Sequence, residues 1–468
     1  MTISHMTLVR GLALTALVAL GGCNADRLNV PSYNDPAVGP SDRPLMQNLA
    51  SGILAEQRGS MAGLISNVGI FGRESFNYTG SEPRNVTLFL STFPLDNSGF
   101  TNGQWDPRFR NIRNALNLIG IAEGAAFLTD AEKNAVRGFA NTMRALDLFY
   151  VIATRDTLGA PTAIDLVGNT AQTFDSRDSV YRFISATLDQ ANTQLSAAGG
   201  TAFPFVLTTG FTGFSSPATF RQFNRALAAR IQVYRGTLGC GVTCFTAALS
   251  ALSDSFISSA VGADLRRGVY HTYSTASGDA LNALNNAVSP DVIGHPSIRA
   301  DAQLQTNGQP DARLGAKTRT LAPARTAPGA NLGIPTDVGF TIYPDQTTPI
   351  PIIRNEELIL LRAEANIGLS NFAAATVDLN YLRAQGGGLL PPIATPAGAT
   401  EAVTALLYER RYSLLFEGHR WFDVRRYRRI NTLPLDLPTH FRVTVMPVPQ
   451  AECVFRATQP VALRGPGC

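Results

Sequence analysis

Hydrophobic positions recur three or four residues apart along most of the chain, the spacing that puts them on one face of a helix. The pattern predicts helices over 44–66, 105–124, 129–153, 178–195, 217–238 and 243–259, then over 354–369, 371–384, 401–416 and a short 419–428. In the second of these, Phe109, Ile112, Leu116 and Ile119 form the apolar stripe. Thr129 with Glu132 has the spacing of a capping box and opens the third. Pro217 stands where a first helical turn tolerates proline. A short terminal strand is expected over 441–448. Two stretches lack any period: 67–104, rich in Gly, Asn, Ser and Phe, and 260–350, rich in Pro, Gly, Asn and Thr. Both are expected as long irregular segments; a structureless stretch as long as 260–350 inside a folded body is usually either functional or holds regular elements that its pattern hides.

The helices fall in adjacent pairs. Leu360 to Gly368, followed by Phe372, Ala374, Ala375 and Leu379, looks like a tetratricopeptide helix pair. Small alanines at the crossing allow close approach, and Gly368 ends the first helix. The fold class expected is therefore mainly α.

Before the first helix the pattern changes. Met1 to Arg10 ends on a basic residue, Leu12 to Leu20 is apolar, and Gly21-Gly22-Cys23 follows. This is the plan of a secretory signal, and the run is too short to span a bilayer. Leu20-Gly21-Gly22-Cys23 resembles a bacterial lipobox, which implies cleavage after residue 22 and acylation of Cys23. The alternative is an ordinary signal in which Cys23 is incidental. Residues 23–43, with Pro31, Pro36 and Pro40, read as a tether from the membrane. Residues 44–468 read as a single domain. It divides into a helical part (44–259) with the loop 67–104, a loop-rich insert (260–350), and a C-terminal helical part with its tail (351–468).

Cysteine use agrees with export. Setting aside Cys23 leaves Cys240, Cys244, Cys453 and Cys468, an even number that reads as two disulfides, most simply 240–244 and 453–468. The alternative, four thiolates on a metal, fits poorly, because C-x3-C and C-x14-C are not the usual pairs. No metal and no cofactor are expected.

Composition excludes several classes. Hydrophobic residues make up 45% of the chain and charged residues 16%, which rules out a disordered tail protein. Of 39 basic residues, only Lys133 and Lys317 are lysine, and net charge is +4. The arginines are spread out apart from a cluster near 410–429, so no basic arm suggests nucleic acid. No H-E-x-x-H, Walker loop or dinucleotide fingerprint is present. His271, His295, His419 and His440 are isolated in sequence, and no Ser-His-Asp or Cys-His set is discernible.

Arg354-Asn355-Glu356-Glu357-Leu358, Ala363-Glu364-Ala365 and Leu379 to Ala384 resemble the C-terminal region of the SusD/RagB outer-membrane lipoproteins. So does Glu409 to Arg426, which contains Phe416-Glu417-Gly418-His419-Arg420-Trp421-Phe422-Asp423 and is the most specific segment. Arg137-Gly138-Phe139, Gly159-Ala160-Pro161, Trp105, Asp311-Ala312-Arg313 and Met446-Pro447-Val448-Pro449 fall in family order. The tail departs from the family, ending in the Cys453–Cys468 loop. The resemblance implies tetratricopeptide-like helix pairs packed against an irregular, loop-rich ligand-binding region. It also implies a surface-exposed, lipid-anchored receptor of the outer membrane that captures glycans, or in some branches peptides, and passes them to a TonB-dependent, SusC-like transporter. Such a receptor is not an enzyme. The competing class, a surface glycan-degrading enzyme, would need a cleft with paired carboxylates.

Within this reading Glu409, Glu417, Arg420 and Asp423 are expected to form an ion-pair scaffold, with Arg410 and Arg420 as partners of the acids. Trp105 and Trp421 are expected in the core. A stacking platform would then come from Phe71, Phe76, Tyr78, Phe89, Phe93 or Phe100 in the first long segment, and from Tyr270, Tyr273, Phe340 or Tyr343 in the second. Arg73, Glu74, Asn77, Asn85 and Asn102 could supply hydrogen bonds. The ligand set expected is Arg73, Phe76, Asn77, Tyr78, Tyr270, Tyr273 and Tyr343. The alternative is that most of these rings pin the long segments to the helices.

Overall fold

In a computed structural model the structure describes residues 42–168, 170–285 and 291–468. The expected signal, the expected acylation site Cys23 and nearly all of the expected tether lie outside these residues. The fold is mainly α. In chain order the elements are α1 (Arg43–Gly59), α2 (Met61–Phe71), β1 (Ser75–Asn77), α3 (Arg84–Ser91), α4 (Asp106–Gly124), α5 (Asp130–Arg155) and α6 (Arg177–Ala197). Then come α7 (Pro217–Arg235), α8 (Val242–Ser253), β2 (Gly268–His271), β3 (Val292–Gly294), α9 (Ser297–Ala300), α10 (Ala312–Lys317), β4 (Thr318–Arg325), β5 (Thr336–Phe340) and β6 (Ile350–Arg354). The chain continues with α11 (Asn355–Gly368), α12 (Phe372–Gly386), α13 (Ala399–Ser413), α14 (Arg420–Arg426) and α15 (Gln450–Ala457).

Local chemistry sets the helix ends. Thr129 accepts from the Glu132 amide and the Glu132 carboxylate accepts from the Thr129 amide, so α5 opens on a full capping box. Ser216 caps α7 with Pro217 in its first turn. Consecutive helices pack as pairs: α4 on α5, α5 on α6, α6 on α7, α7 on α8, and α11 on α12. At the α5–α6 crossing a Cβ on Gly138 would stand 2.5 Å from Leu195 Cγ, so only glycine permits that approach. A main core joins most elements. A second cluster, including Ile359, Leu360, Ala363, Leu379, Leu406 and Leu414, fills the space between α11, α12 and α13.

Four expectations are corrected. The first helix does not run through 44–66; it breaks at Ser60, where the backbone leaves helical geometry after Gly59 and the Ser60 carbonyl accepts from Gln104 Nε2. The segment 67–104 is not one loop, because it holds the end of α2, β1 and α3. The segment 260–350 is not structureless either. Its strands complete an antiparallel sheet in the order β1-β3-β5-β4 and a pair β2-β6. β1 pairs with β3 through Phe76↔Ile293, partners more than two hundred residues apart, so no local pattern announces the sheet. Finally, 441–448 forms no strand among the described residues. Its amides are spent on helix ends instead, Phe441 N–H on Leu90 O and Met446 N–H on Thr154 O. The sulfurs of Cys240 and Cys244 are bonded to each other, as are those of Cys453 and Cys468.

Candidate ligand-binding groove

The C-terminal helices rest on buried ion pairs. Glu409 takes one guanidinium nitrogen from Arg313 at 2.7 Å and one from Arg383 at 2.6 Å. Asp423 lies between Arg410, at 2.7 Å, and Arg426, at 2.8 Å. Glu364 pairs with Arg426, Glu357 with Arg230 at 2.7 Å, and Glu417 with Arg354 at 2.8 Å. Burial pushes the Asp423 and Glu357 carboxyls upward, but their arginine neighbours outweigh it and leave both below the usual range. For Glu409 burial wins over Arg313 and Arg383, and its carboxyl is raised. Arg420 is the exception to the expected pairing: its Nε donates to the Gly72 carbonyl. Trp105 and Trp421 are both buried in the core.

The expected ligand set is scattered. Arg73 is fully buried and donates to the carbonyls of Ile70, Pro434 and Phe441. Phe76 stacks on Tyr78 at 5.0 Å, and the Tyr78 hydroxyl donates to Ile334 O at 2.8 Å. The Tyr343 hydroxyl donates to Phe416 O. Arg73, Phe76, Tyr78 and Tyr343 thus present no open face for a ligand. They pack under the sheet because the segment carrying three of them folds back as β1. Asn77 is half-buried and accepts from the Thr79 amide. Tyr270 and Tyr273 line a separate cavity beside α1.

An open ring is found elsewhere in the same segment. Just beyond α3, the Phe93 ring is 78% exposed and meets Phe441 edge-on at 5.5 Å. Between 93–97 and 441–447, with Leu158 and Gly467, lies a groove of about 500 Å³. Asp96, Asn97 and Arg442 place a carboxylate, a carboxamide and a guanidinium on its lining. One wall is fixed from beneath. Arg73 Nη2 holds Phe441 O at 2.8 Å, and Asp436 holds the preceding turn through His295 Nε2 at 3.0 Å. Burial raises the Asp436 carboxyl, but hydrogen bonds with His295 and His440 and the charge of Arg73 hold it well below its ordinary value. The other wall is tied in by Gln450 N–H on Asn97 O. Gly467, next to the Cys453–Cys468 bridge, closes one edge. Phe441 and Arg442 carry no signal in the sequence, since each lies in a stretch that reads as strand. Phe93 is legible only as one ring among many.

A second cleft, of about 460 Å³, is lined by Trp105, Phe109, Phe455, Arg110 and Arg113 and by the acids Asp106, Asp165 and Glu452. Phe455 is 45% exposed. Glu452 is held by Arg456 at 2.5 Å. Asp165 accepts from the amides of Val167, Gly168 and Thr170. Burial, then the charge of Glu452, raises the Asp106 carboxyl. Among the described residues no group of His, Cys, Asp and Glu is arranged to hold a metal ion, and no helix is long and apolar enough to cross a membrane.

Comparison with curated proteins finds no sequence match. Solved structures share the fold. A SusD-superfamily protein of Parabacteroides distasonis superposes with a TM-score of 0.64 at 14% identity, over 88% of this chain and 97% of its own. Surface glycan-binding protein A of Bacteroides uniformis gives 0.62 at 14% identity, covering 84% and 90%. NanU of B. fragilis gives 0.60 at 15% identity, covering 89% and 95%. At such identities the likeness is one of fold. The sequence match is to the model of the SusD family, over residues 339–453, the stretch that carries the Arg354–Asp423 ion pairs. Residues 339–453 are thus similar in sequence to the SusD family, and the chain shares its fold with SusD-superfamily structures.

Proposed function

We propose that the protein is a non-catalytic cell-surface receptor that captures oligosaccharides in the Phe93–Phe441 groove and delivers them to a TonB-dependent, SusC-like outer-membrane transporter. Residues 44–468 act as its one binding domain, tethered through a lipid on Cys23. The observation that carries this reading is the bare Phe93 ring beside Asp96, Asn97 and Arg442. A sugar offers an apolar C–H face to a ring and hydroxyls to its polar neighbours, and ligand contacts tend to sit on loops mounted on a rigid scaffold. A receptor that must release its cargo is expected to bind at about micromolar strength, near −8 kcal/mol.

A glycan array beside a peptide library, probed with the soluble chain beginning after Cys23, tests the cargo. Glycan hits that Phe93→Ala removes support the reading. Peptide hits alone change the cargo, and glycan hits that survive Phe93→Ala move the site. Cys23→Ala should release the protein from membranes; a variant that still pellets after carbonate extraction is held by something else.

The Asp106–Glu452 cleft gives the enzyme reading its one specific observation, three acids in one groove with the Asp106 carboxyl raised. Glu452 is paired with Arg456, and Asp106 lies in the first turn of α4, where an acid complements the helix dipole. Hydrolysis of any array hit by the wild type, abolished in Asp106→Asn, would establish that reading instead.

A further inference from the structure

One residue before Phe441, the wall of the Phe93 groove continues into a buried cluster around Asp436. His295 Nε2 stands 3.0 Å from Asp436 Oδ1, and Arg73 Nε and His440 Nδ1 each stand 3.7 Å from Oδ2. His440 is 4% exposed. Its second ring nitrogen, Nε2, lies 3.3 Å from the carbonyl oxygen of Leu332. Leu332 belongs to the loop 326–335 that joins β4 to β5, so one imidazole links that loop to the groove wall. The loop has a second tie, the Tyr78 hydroxyl on Ile334 O. A Cβ on Gly333 would collide with that hydroxyl, so glycine lets the loop lie there.

The two histidines differ in what their nitrogens face. The Ser297 amide donates to His295 Nδ1 at 3.1 Å, so the single proton of a neutral His295 ring sits on Nε2, where Asp436 accepts it. His295 needs no charge to satisfy both partners. His440 has an acceptor on each side, the Asp436 carboxylate at Nδ1 and the Leu332 carbonyl at Nε2. A neutral ring has one N–H and serves only one of them, leaving a lone pair against the other oxygen; an imidazolium serves both. Neither His440 Nδ1 nor Asp436 Oδ2 has a closer partner to take up the slack.

We propose that His440 is a proton-operated latch between the groove wall and the 326–335 loop. As an imidazolium it holds Asp436 and Leu332 O at once. As a neutral imidazole it keeps its one proton for the carboxylate, the stronger acceptor, and gives up Leu332 O. The extra bond belongs to the charged form, so the tie is present at low pH. It is lost as pH rises through the range where imidazoles change charge, about pH 5–8. The other groups of the cluster keep their state over that range. Burial lowers the Arg73 guanidinium only to about 10 and raises the Tyr78 hydroxyl; it raises the Asp436 carboxyl less than His295, His440 and Arg73 lower it. Arg442 adds a second guanidinium beside Arg73. Glu74, raised by burial to about 7, does change charge there, but its carboxyl faces Arg420, Arg411 and Lys317. The latch acts on the wall itself and does not depend on what the groove binds.

NMR on the soluble chain beginning after Cys23 tests it. Leu332-Gly333 is one of four Leu-Gly junctions in that chain, with 158–159, 238–239 and 314–315. Isotope labels confined to leucine carbonyl carbons and glycine nitrogens therefore resolve the Leu332 carbonyl in a carbon-detected spectrum. Between about pH 5 and 8 its signal should move in the direction of a lost hydrogen bond, with the same midpoint as the His440 ring signal. In His440→Phe, which keeps a ring but no nitrogen, the carbonyl should hold its high-pH position throughout. His440→Gln, uncharged at every pH, should likewise abolish the response, and serves if the first variant does not fold. Glu74→Gln should keep the wild-type response. A Leu332 carbonyl that does not move, or that moves with a midpoint unlike that of the His440 ring, overturns the proposal. So does a response that survives in a folded His440 variant or disappears in Glu74→Gln.

Discussion

The ion pairs of α11, α13 and α14 and the Phe93 groove are built on opposite terms. In the first, every acid is buried and engaged by one or two guanidinium groups, and some partners come from segments far apart in sequence, as with Arg230 and Glu357 or Arg313 and Glu409. Removing one member strands a charge away from water, so few substitutions are tolerated. In the second, an exposed ring stands on a loop end, and many rings on many loops would serve. A region that admits one solution leaves a strong mark in sequence, whereas a region that admits many leaves almost none. The family match accordingly spans the acids of the first region and only one wall of the second.

Breaking this contrast should be easiest at Asp423. Asp423→Ala leaves Arg410 and Arg426 short of a partner in the core and should cost about 3–5 kcal/mol of stability. Urea titration measures the loss, and glycan affinity of the folded fraction should be unchanged. A stable variant without binding would make the ion pairs part of the site. The Cys453–Cys468 bridge closes a fifteen-residue loop, so replacing both cysteines by serine should cost up to about 3 kcal/mol, against little for Cys240–Cys244. Because Gly467 borders the groove, the first replacement should also weaken ligand binding, which calorimetry would show; equal effects of the two pairs would contradict this.

The pH dependence sharpens the same contrast. Glu357 and Asp423 have folded-state values below their ordinary 4.5 and 3.8, so their contribution is present above those values and fades as pH falls through the lower folded ones. Burial acts the other way on Asp147, raised to about 6 despite Arg108 and Asn111, and on Glu74, raised to about 7. Their contribution is full below the ordinary values and is lost as pH rises through about 6 to 7. On these four groups melting temperature should therefore peak near their ordinary values, at about pH 4–4.5, and fall on both sides; a monotonic rise to pH 8 would leave the two raised acids without effect. The smallest expected change is Tyr78→Phe, which removes one hydrogen bond to Ile334 and should cost about 0.5–1.5 kcal/mol with no change in ligand affinity. Phe93→Ala should reverse that pattern, losing about three- to twelve-fold in affinity with little change in melting temperature.

How far the sequence could be read follows from the same difference. Helices α4, α5 and α7 announce themselves through periodicity and caps, since those signals are local. The scaffold acids Glu409, Glu417 and Asp423 were legible as a group, but their partners Arg313, Arg354 and Arg383 were not, because pairing across the fold has no local signature. Strands of three to five residues such as β1 and β5 fall below any periodic window, so Phe76 and Tyr78 read as loop rings and lie instead beneath a sheet. Tyr270 and Tyr273 read as candidate ligand rings of the second long segment; that they line one cavity depends on α1 and the Gly210 turn arriving beside them.

The near-exclusive use of arginine has a practical side. Lys317 is half-buried, its ammonium donating to Ser413 O and 3.7 Å from Glu417, and desolvation lowers its basicity. Lys133, near the start of α5, is only partly covered and lines none of the clefts described. An amine-reactive ester, apart from any free α-amine, therefore has at most two side chains to acylate, and that of Lys317 is tied to Ser413 O and Glu417. Coupling to a sensor surface through Lys133 should hold the molecules in a common orientation with every cleft residue unmodified.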